Sequence, residues 1–236
     1  MHNISTYFGN SAFVHARIKV FAKEITMIEQ AKFWDKAATK YAADPIKDIA
    51  AYTYTLERTR SYLRDSDTVL EIGCGTGSTA LLLAESVGTY HGTDISEKMI
   101  KIARGKVAET CLANLSFEAH PALEGIYPHD GLDAVMAFNL LHLLRDIPAT
   151  LDAARAALRP GGLFITKTPC LKDANWKIGL VLKLIPLAQK LGKAPYVQSF
   201  TVGAFDRMIE TAGFEIVESG NHPVSPPARY VVARAI

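Results

Sequence analysis

The sequence predicts an α/β fold: a doubly wound, mostly parallel sheet of seven strands, preceded by a helical amino-terminal extension. Three observations carry that expectation. Short apolar runs such as "VLEI" (69–72) and "DAVMAF" (133–138) alternate with helical patterns, the rhythm of βαβ units. A glycine-rich stretch, "GCGTG" (73–77), stands where a strand end would meet a helix. The last two runs, "EIVESG" and "RYVVARAI", are joined only by "NHPVSPPA", which leaves no room for a crossover helix. The last strand should therefore run antiparallel to its neighbour.

The bulk properties agree with one domain. The 236 residues, 49% hydrophobic and 21% charged, are enough for a full core and unlike a disordered chain. A net charge of +2 carries no global nucleic-acid signature. Cys74, Cys111 and Cys170 are odd in number and form no CxxC pair. They argue against a disulfide framework or structural zinc and fit a reducing cytoplasm. No uncharged apolar run of about eighteen residues is present, so no transmembrane span is expected.

The elements follow in order. Residues 1–26 carry Arg17, Lys19 and Lys23 against Glu24, with the charge on the wrong side of the apolar residues for a signal peptide. Two readings stay open: a helical arm packed on the domain, or an extension upstream of a start at Met27. From residue 28 the pattern is helical, with Ile28, Ala31, Phe33, Trp34, Ala37, Ala38 and Tyr41 on one broad face. Asp44-Pro45 breaks it, and 46–63 reads as a second helix, so the extension is expected to end near residue 64. The main domain, 65–236, opens on "VLEI". A buried helix (78–87), a strand ending at Asp94, and a helix capped by Ser96 come next, the last with Lys98 and Lys101 facing water. "LSFEAH" and "LDAVMAF" are the third and fourth strands. A helix follows with Pro148 in its first turn, then an "RPGG" turn and the fifth strand "LFITKTP". A helix closed by Gly213 precedes the final pair.

The glycine loop admits two cofactors. Gly75 to Ala80 satisfies the dinucleotide pattern GxGxxG/A, with Asp94 at a suitable distance, which would suit an NAD(P)-dependent oxidoreductase. Against that stand Gly73-x-Gly75-x-Gly77, Glu71 two residues ahead, and the segments "LDAVMAFNLLHLL" and "ALRPGGLFITK". The closing strand pair also stands where a dinucleotide enzyme would continue into a catalytic domain. Together these residues resemble the class I S-adenosylmethionine-dependent methyltransferases, over roughly 30–236.

The resemblance implies a Rossmann-like sheet of seven strands with the last antiparallel, and S-adenosylmethionine as cofactor. It assigns the loop of Glu71, Gly73, Cys74, Gly75 and Gly77 to the methionine part, Asp94 to the ribose hydroxyls and Ile95 to adenine, with Met99 also at the cofactor. Phe138 and Asn139 would pass beside the methionine end, and Tyr41 would come over the cofactor on its helix. The family often has an acid at the end of the third strand. Here Ala119 and His120 occupy that place, and His120 can accept from the adenine amino group through a ring nitrogen. Glu118 is the substitute if the register shifts.

Methyl transfer from a sulfonium needs positioning more than acid–base chemistry, since the leaving group departs uncharged. His142, just past the fourth strand, is the candidate base, set against a packing role. His91 and His129 receive no function. No acids or histidines have metal-ligand spacing, and Asp130 and Asp133 flank the wrong end of the fourth strand.

The insert at about 170–200 bears on the acceptor. Residues 172–193 hold five lysines and one aspartate, with leucines, isoleucines and Trp176 between them, interrupted at Pro186. It reads first as a lid helix whose apolar face roofs the pocket. It reads second as a helix in weak peripheral contact with an anionic membrane through 176–191. Either way the acceptor is expected to be a small, lipophilic molecule and not a nucleic acid. The rival from another class is a non-catalytic cofactor-binding sensor or partner subunit. The acceptor atom and oligomeric state are not legible.

Overall fold

A computed structural model describes residues 11–122 and 131–236, with side chains from residue 26 onward except that of Lys177. A long helix, α1 (Ser11–Ala43), and a shorter one, α2 (Ile49–Tyr62), precede the sheet. Helix α1 runs unbroken past Met27, well before the start that periodicity suggests. Asp48 caps α2 by accepting from the N–H of Ala51.

Seven strands then form one sheet: β1 (Thr68–Ile72), β2 (Thr89–Asp94), β3 (Leu115–Ala119), β4 (Leu132–Phe138), β5 (Leu158–Pro169), β6 (Phe214–Asn221) and β7 (Ala228–Ala235). Their spatial order is β3-β2-β1-β4-β5-β7-β6, with β7 antiparallel to both β5 and β6. The expected fold class and antiparallel last strand are both present. "RPGG" is not a simple turn. The chain goes straight from helix α5 (Ile147–Ala157) into β5 and bulges, so that Leu132 pairs Leu158 while Ala134 pairs Leu163.

Both faces of the sheet are covered, which is why its central strands are nearly continuous apolar runs. One face buries Leu151 and Ala154 of α5 with Phe205 and Ile209 of helix α7 (Val202–Thr211). The other buries Ala80 and Leu83 of helix α3 (Ser78–Leu83) with Ile100 and Ala103 of helix α4 (Glu97–Ala108). Helix α2 is fastened to the far edge strand, where Glu218 accepts from Arg58 and, at 2.7 Å, from the Tyr62 hydroxyl.

The insert contains helix α6 (Trp176–Lys190). Pro186 does not interrupt it, because that residue sits on the exposed side and only one backbone N–H is lost. Its apolar face does not roof the pocket as expected. Trp176, Leu180, Leu184, Leu187 and Leu191 are all more than half exposed, while Ile178, Leu182 and Ile185 take the half-buried side. Among the described residues no helix is long and apolar enough to cross a membrane.

Candidate cofactor and acceptor site

The sheet order reverses between β1 and β4, and ligands of such sheets bind beyond the strand ends at that point. There the chain leaves β1 through three glycines with φ of +66°, +56° and +73° at Gly73, Gly75 and Gly77. Only a residue without Cβ takes that backbone at no steric cost. A Cβ at Gly77 would fall 2.6 Å from Phe117 Cζ, and one at Gly73 would fall 2.6 Å from Leu140 Cδ1. Gly75 differs: the nearest described atom to its would-be Cβ is Tyr41 Cε1 at 3.7 Å. The space over Gly75 is a cradle with an aromatic wall.

Asp94 ends β2 facing that cradle. Its Oδ2 accepts from the N–H of Gly75 at 3.0 Å and its Oδ1 from the N–H of Ser96 at 2.9 Å. Both oxygens are thereby fixed, each with lone pairs to spare. Burial raises the carboxyl pKa above the ordinary range, opposed by these two hydrogen bonds.

The cavity here has a volume of about 420 Å³ and is lined by ten of the expected residues. Gly73, Gly75, Asp94, Ile95, Met99 and His120 come from the β1–β2–β3 side, and Phe138, Asn139 and His142 from beyond β4. Tyr41 enters from α1, half exposed, and so is not an ordinary core tyrosine. Glu71, Cys74, Gly77 and Ala119 do not line it. Glu71 and Cys74 are buried behind the loop, Gly77 packs on Phe117, and Ala119 is paired within the sheet.

Glu71 is 2% exposed and accepts from the Tyr90 hydroxyl at 2.9 Å. Burial pushes its pKa up to about 7, with the Tyr90 bond opposing and Asp94 adding. Because the folded value exceeds the unfolded one, this carboxyl contributes most at low pH, and stability falls as pH rises from about 4.5 to 7. Glu71→Gln keeps an acceptor for Tyr90 and removes the ionisation. Its stability relative to wild type should rise by roughly 3 kcal/mol between pH 4 and pH 8. Urea denaturation of the ligand-free protein measures this, and a difference independent of pH would reject the assignment.

His120 has its Nδ1 2.8 Å from the Pro121 carbonyl. A carbonyl can only accept, so Nδ1 carries the proton and Nε2 is left as an acceptor. Glu118 lies on the sheet surface instead, 3.6 Å from His91, which also bonds Ser116. Asn139 holds φ at +53°, a left-handed conformation asparagine tolerates, and its N–H donates to the Lys167 carbonyl at 2.7 Å. That kink turns the chain into a short turn, Leu141–Leu143, which carries His142. Burial lowers the His142 pKa to about 4, and its buried Nδ1 has no partner among the described residues. It is a neutral imidazole on a residue that lines the cavity, with Nδ1 itself buried.

Several lining residues were not anticipated. Gln30 and Trp34 bring α1 against the cavity, and Pro169, Pro195 and Val197 add apolar surface with Leu140, Leu143 and Leu144. Helix α1 is held in place by Asp35, whose Oδ1 accepts from Ser96 Oγ at 2.6 Å and from the N–H of Lys98 at 3.1 Å. Asp35 thus joins Ser96 in capping α4. His129 and Asp130 lie outside the described residues. Asp133 is engaged by the N–H of Thr68 and by Arg159, and no group of three potential metal ligands occurs among the described residues.

A sheet of this order, with a glycine loop after its first strand and an acid closing its second, defines the class I S-adenosylmethionine-binding fold. Comparisons with known proteins narrow it. The chain belongs to the methyltransferase domain family, whose model matches residues 36–219. That membership implies S-adenosylmethionine as the cofactor, and the Gly75 cradle and anchored Asp94 carboxylate suit it. A highly reducing polyketide synthase from Aspergillus terreus is 33% identical over 49% of this chain, which spans 5% of that protein. A demethylmenaquinone methyltransferase from Symbiobacterium thermophilum is 33% identical over 45% of this chain and 44% of its own length. This chain therefore spans less than half of each. The geranyl diphosphate C-methyltransferase structure from Streptomyces coelicolor A3(2) superposes with a TM-score of 0.69, at 10% identity. It covers 89% of this chain and 98% of that one, a likeness of fold.

Proposed function

We propose that the protein transfers the methyl group of S-adenosylmethionine to a small, lipophilic acceptor. The observation that carries this reading is one cavity holding both a fixed carboxylate beside a glycine cradle and an apolar wall of Leu140, Leu143, Leu144, Pro169 and Val197. The similarity to relatives and structures named for demethylmenaquinone and geranyl diphosphate methylation supports it.

In this reading Asp94 accepts the ribose hydroxyls, Ile95 and Met99 pack on adenine, and His120 accepts the adenine amino group through Nε2. Gly73, Gly75, Tyr41, Phe138 and Asn139 surround the methionine end, while Glu71, Cys74, Gly77 and Ala119 support the loop and strand ends from behind. The cofactor supplies an electrophilic methyl on a sulfonium, whose departure leaves a neutral thioether. The protein then has to align the acceptor and exclude water. His142 lines the acceptor end of the cavity and is the candidate base there. With its pKa near 4 it accepts a proton only from an acceptor that is itself acidic.

S-adenosylhomocysteine should raise the melting temperature by several degrees at saturation, and NAD and NADP should not. The opposite ranking would end the proposal. Turnover of S-adenosylmethionine with lipophilic phenols, amines and acids tests catalysis. Binding without turnover of any of them would point to the sensor reading instead.

The exposed leucine stripe of α6, with Lys183 and Lys190 on the same helix, supports weak peripheral contact of 176–191 with an anionic membrane. Co-sedimentation with anionic vesicles should be lost in the Lys183→Glu, Lys190→Glu variant. Equal sedimentation of the two proteins, or none by either, rejects that contact.

A further inference from the structure

A second cavity of about 360 Å³ lies beside the first, between α1 and the carboxyl end of α6. Gln30 and Pro195 line both, so the two share a wall. This second space is more polar than the first, and Glu29, Arg145, Lys190 and Tyr196 line it.

Arg145 is held in an unusual way for this molecule. Its carbonyl and that of Leu144 accept from Gln198 Nε2 at 3.0 and 2.7 Å, and the Gln198 N–H donates to the His142 carbonyl. The backbone carrying Arg145 is thus tied to the turn that carries His142. The guanidinium lies over the Tyr196 ring, 4.3 Å from its centre. A cation held over a ring by its carbon can still offer its N–H donors to another partner. Arg58, Arg159 and Arg229 each hold a carboxylate. Among the described residues no carboxylate lies within ion-pair distance of Arg145 or Lys190, and Glu29 across the cavity is not bonded to either.

We infer that this second cavity seats an anionic group, a phosphate or carboxylate, borne by the same acceptor whose apolar part enters the main pocket. The inference rests on the acceptor reading above and deepens it: the substrate is an amphiphile with an acidic head. Arg145 supplies a preorganised planar donor set, Lys190 a second positive charge, and the shared wall at Gln30 and Pro195 the point where head and tail part. Glu29 sets a requirement on the ligand, since it repels an anion that has no apolar tail to hold it.

Binding to the S-adenosylhomocysteine-loaded protein tests this, with octyl phosphate, octanol and inorganic phosphate as probes. Octyl phosphate should bind at least about tenfold more tightly than either of the others, a difference of about 1.4 kcal/mol. Arg145→Met with Lys190→Met should abolish that preference while leaving S-adenosylhomocysteine affinity unchanged. Tyr196→Leu should weaken octyl phosphate binding in part. Equal affinity for octyl phosphate and octanol overturns the inference, as does a preference that survives the double substitution. Inorganic phosphate binding as tightly as octyl phosphate would mark a free-anion site and overturn the link to the acceptor. Failure of S-adenosylhomocysteine to bind, with the octyl phosphate preference intact in the unloaded protein, would remove the cofactor reading and leave the anion site standing.

Discussion

Asp94→Ala lowers the affinity for S-adenosylhomocysteine by about 100-fold or more. Two hydrogen bonds from a ligand to a buried carboxylate contribute roughly 1.5 kcal/mol or more each, which together make two orders of magnitude. The same change strips the N–H groups of Gly75 and Ser96 of their acceptor, so some of the loss comes from a loosened loop. Asp94→Asn separates the two effects, because it keeps one acceptor oxygen and removes the charge. Calorimetric titration of both folded variants gives the comparison. Unchanged affinity in Asp94→Ala would take this residue out of the site.

Gly75→Val has an effect of similar size for a different reason. All three loop glycines hold positive φ, yet what surrounds them differs. Gly77 abuts Phe117 and Ala103, so alanine there strikes the core and costs stability first, whereas Gly73 abuts Leu140 of the cavity wall. Over Gly75 there is room as far as Tyr41, and a side chain there would stand where a ligand must lie. The variant should remain folded, destabilised by about 2 kcal/mol for the left-handed backbone. It should bind S-adenosylhomocysteine about 100-fold more weakly. Gly77→Ala should show the reverse pattern, a larger fall in melting temperature than in affinity. If Gly75→Val keeps wild-type affinity, the cradle is not where the cofactor sits.

The sheet was largely legible because its central strands are buried on both faces and therefore write themselves as apolar runs. The pocket was legible where residues lie at strand ends, since Asp94, Phe138 and Asn139 are placed by the periodicity that placed β2 and β4. What the sequence hid was contributed from a distance. Asp35 caps a helix that begins 62 residues later, and nothing in its own helix marks it for that task. Pro195 and Val197 reach the cavity from an irregular segment with no period to read. Helix α6 misled most. Its leucines implied a buried roof, because amphipathicity tells which side is apolar and not what that side meets. The half-buried side is instead the one bearing Ile178, Leu182 and Ile185.

The placement of β7 also bears on how the chain is made. Strand β6 is synthesised before β7 but pairs with β7 alone, and β5 waits for the same partner on its outer edge. As the polypeptide leaves the ribosome, β1 to β5 can assemble, yet about sixty residues must follow before that open edge is closed. Throughout this interval the nascent sheet presents unpaired amides to any neighbouring strand. A chaperone holding the growing chain would have this edge to shield as well as that of β3, which stays an edge in the finished sheet. Insertion of β7 closes the β5 edge and, in the same event, brings β6 into the sheet.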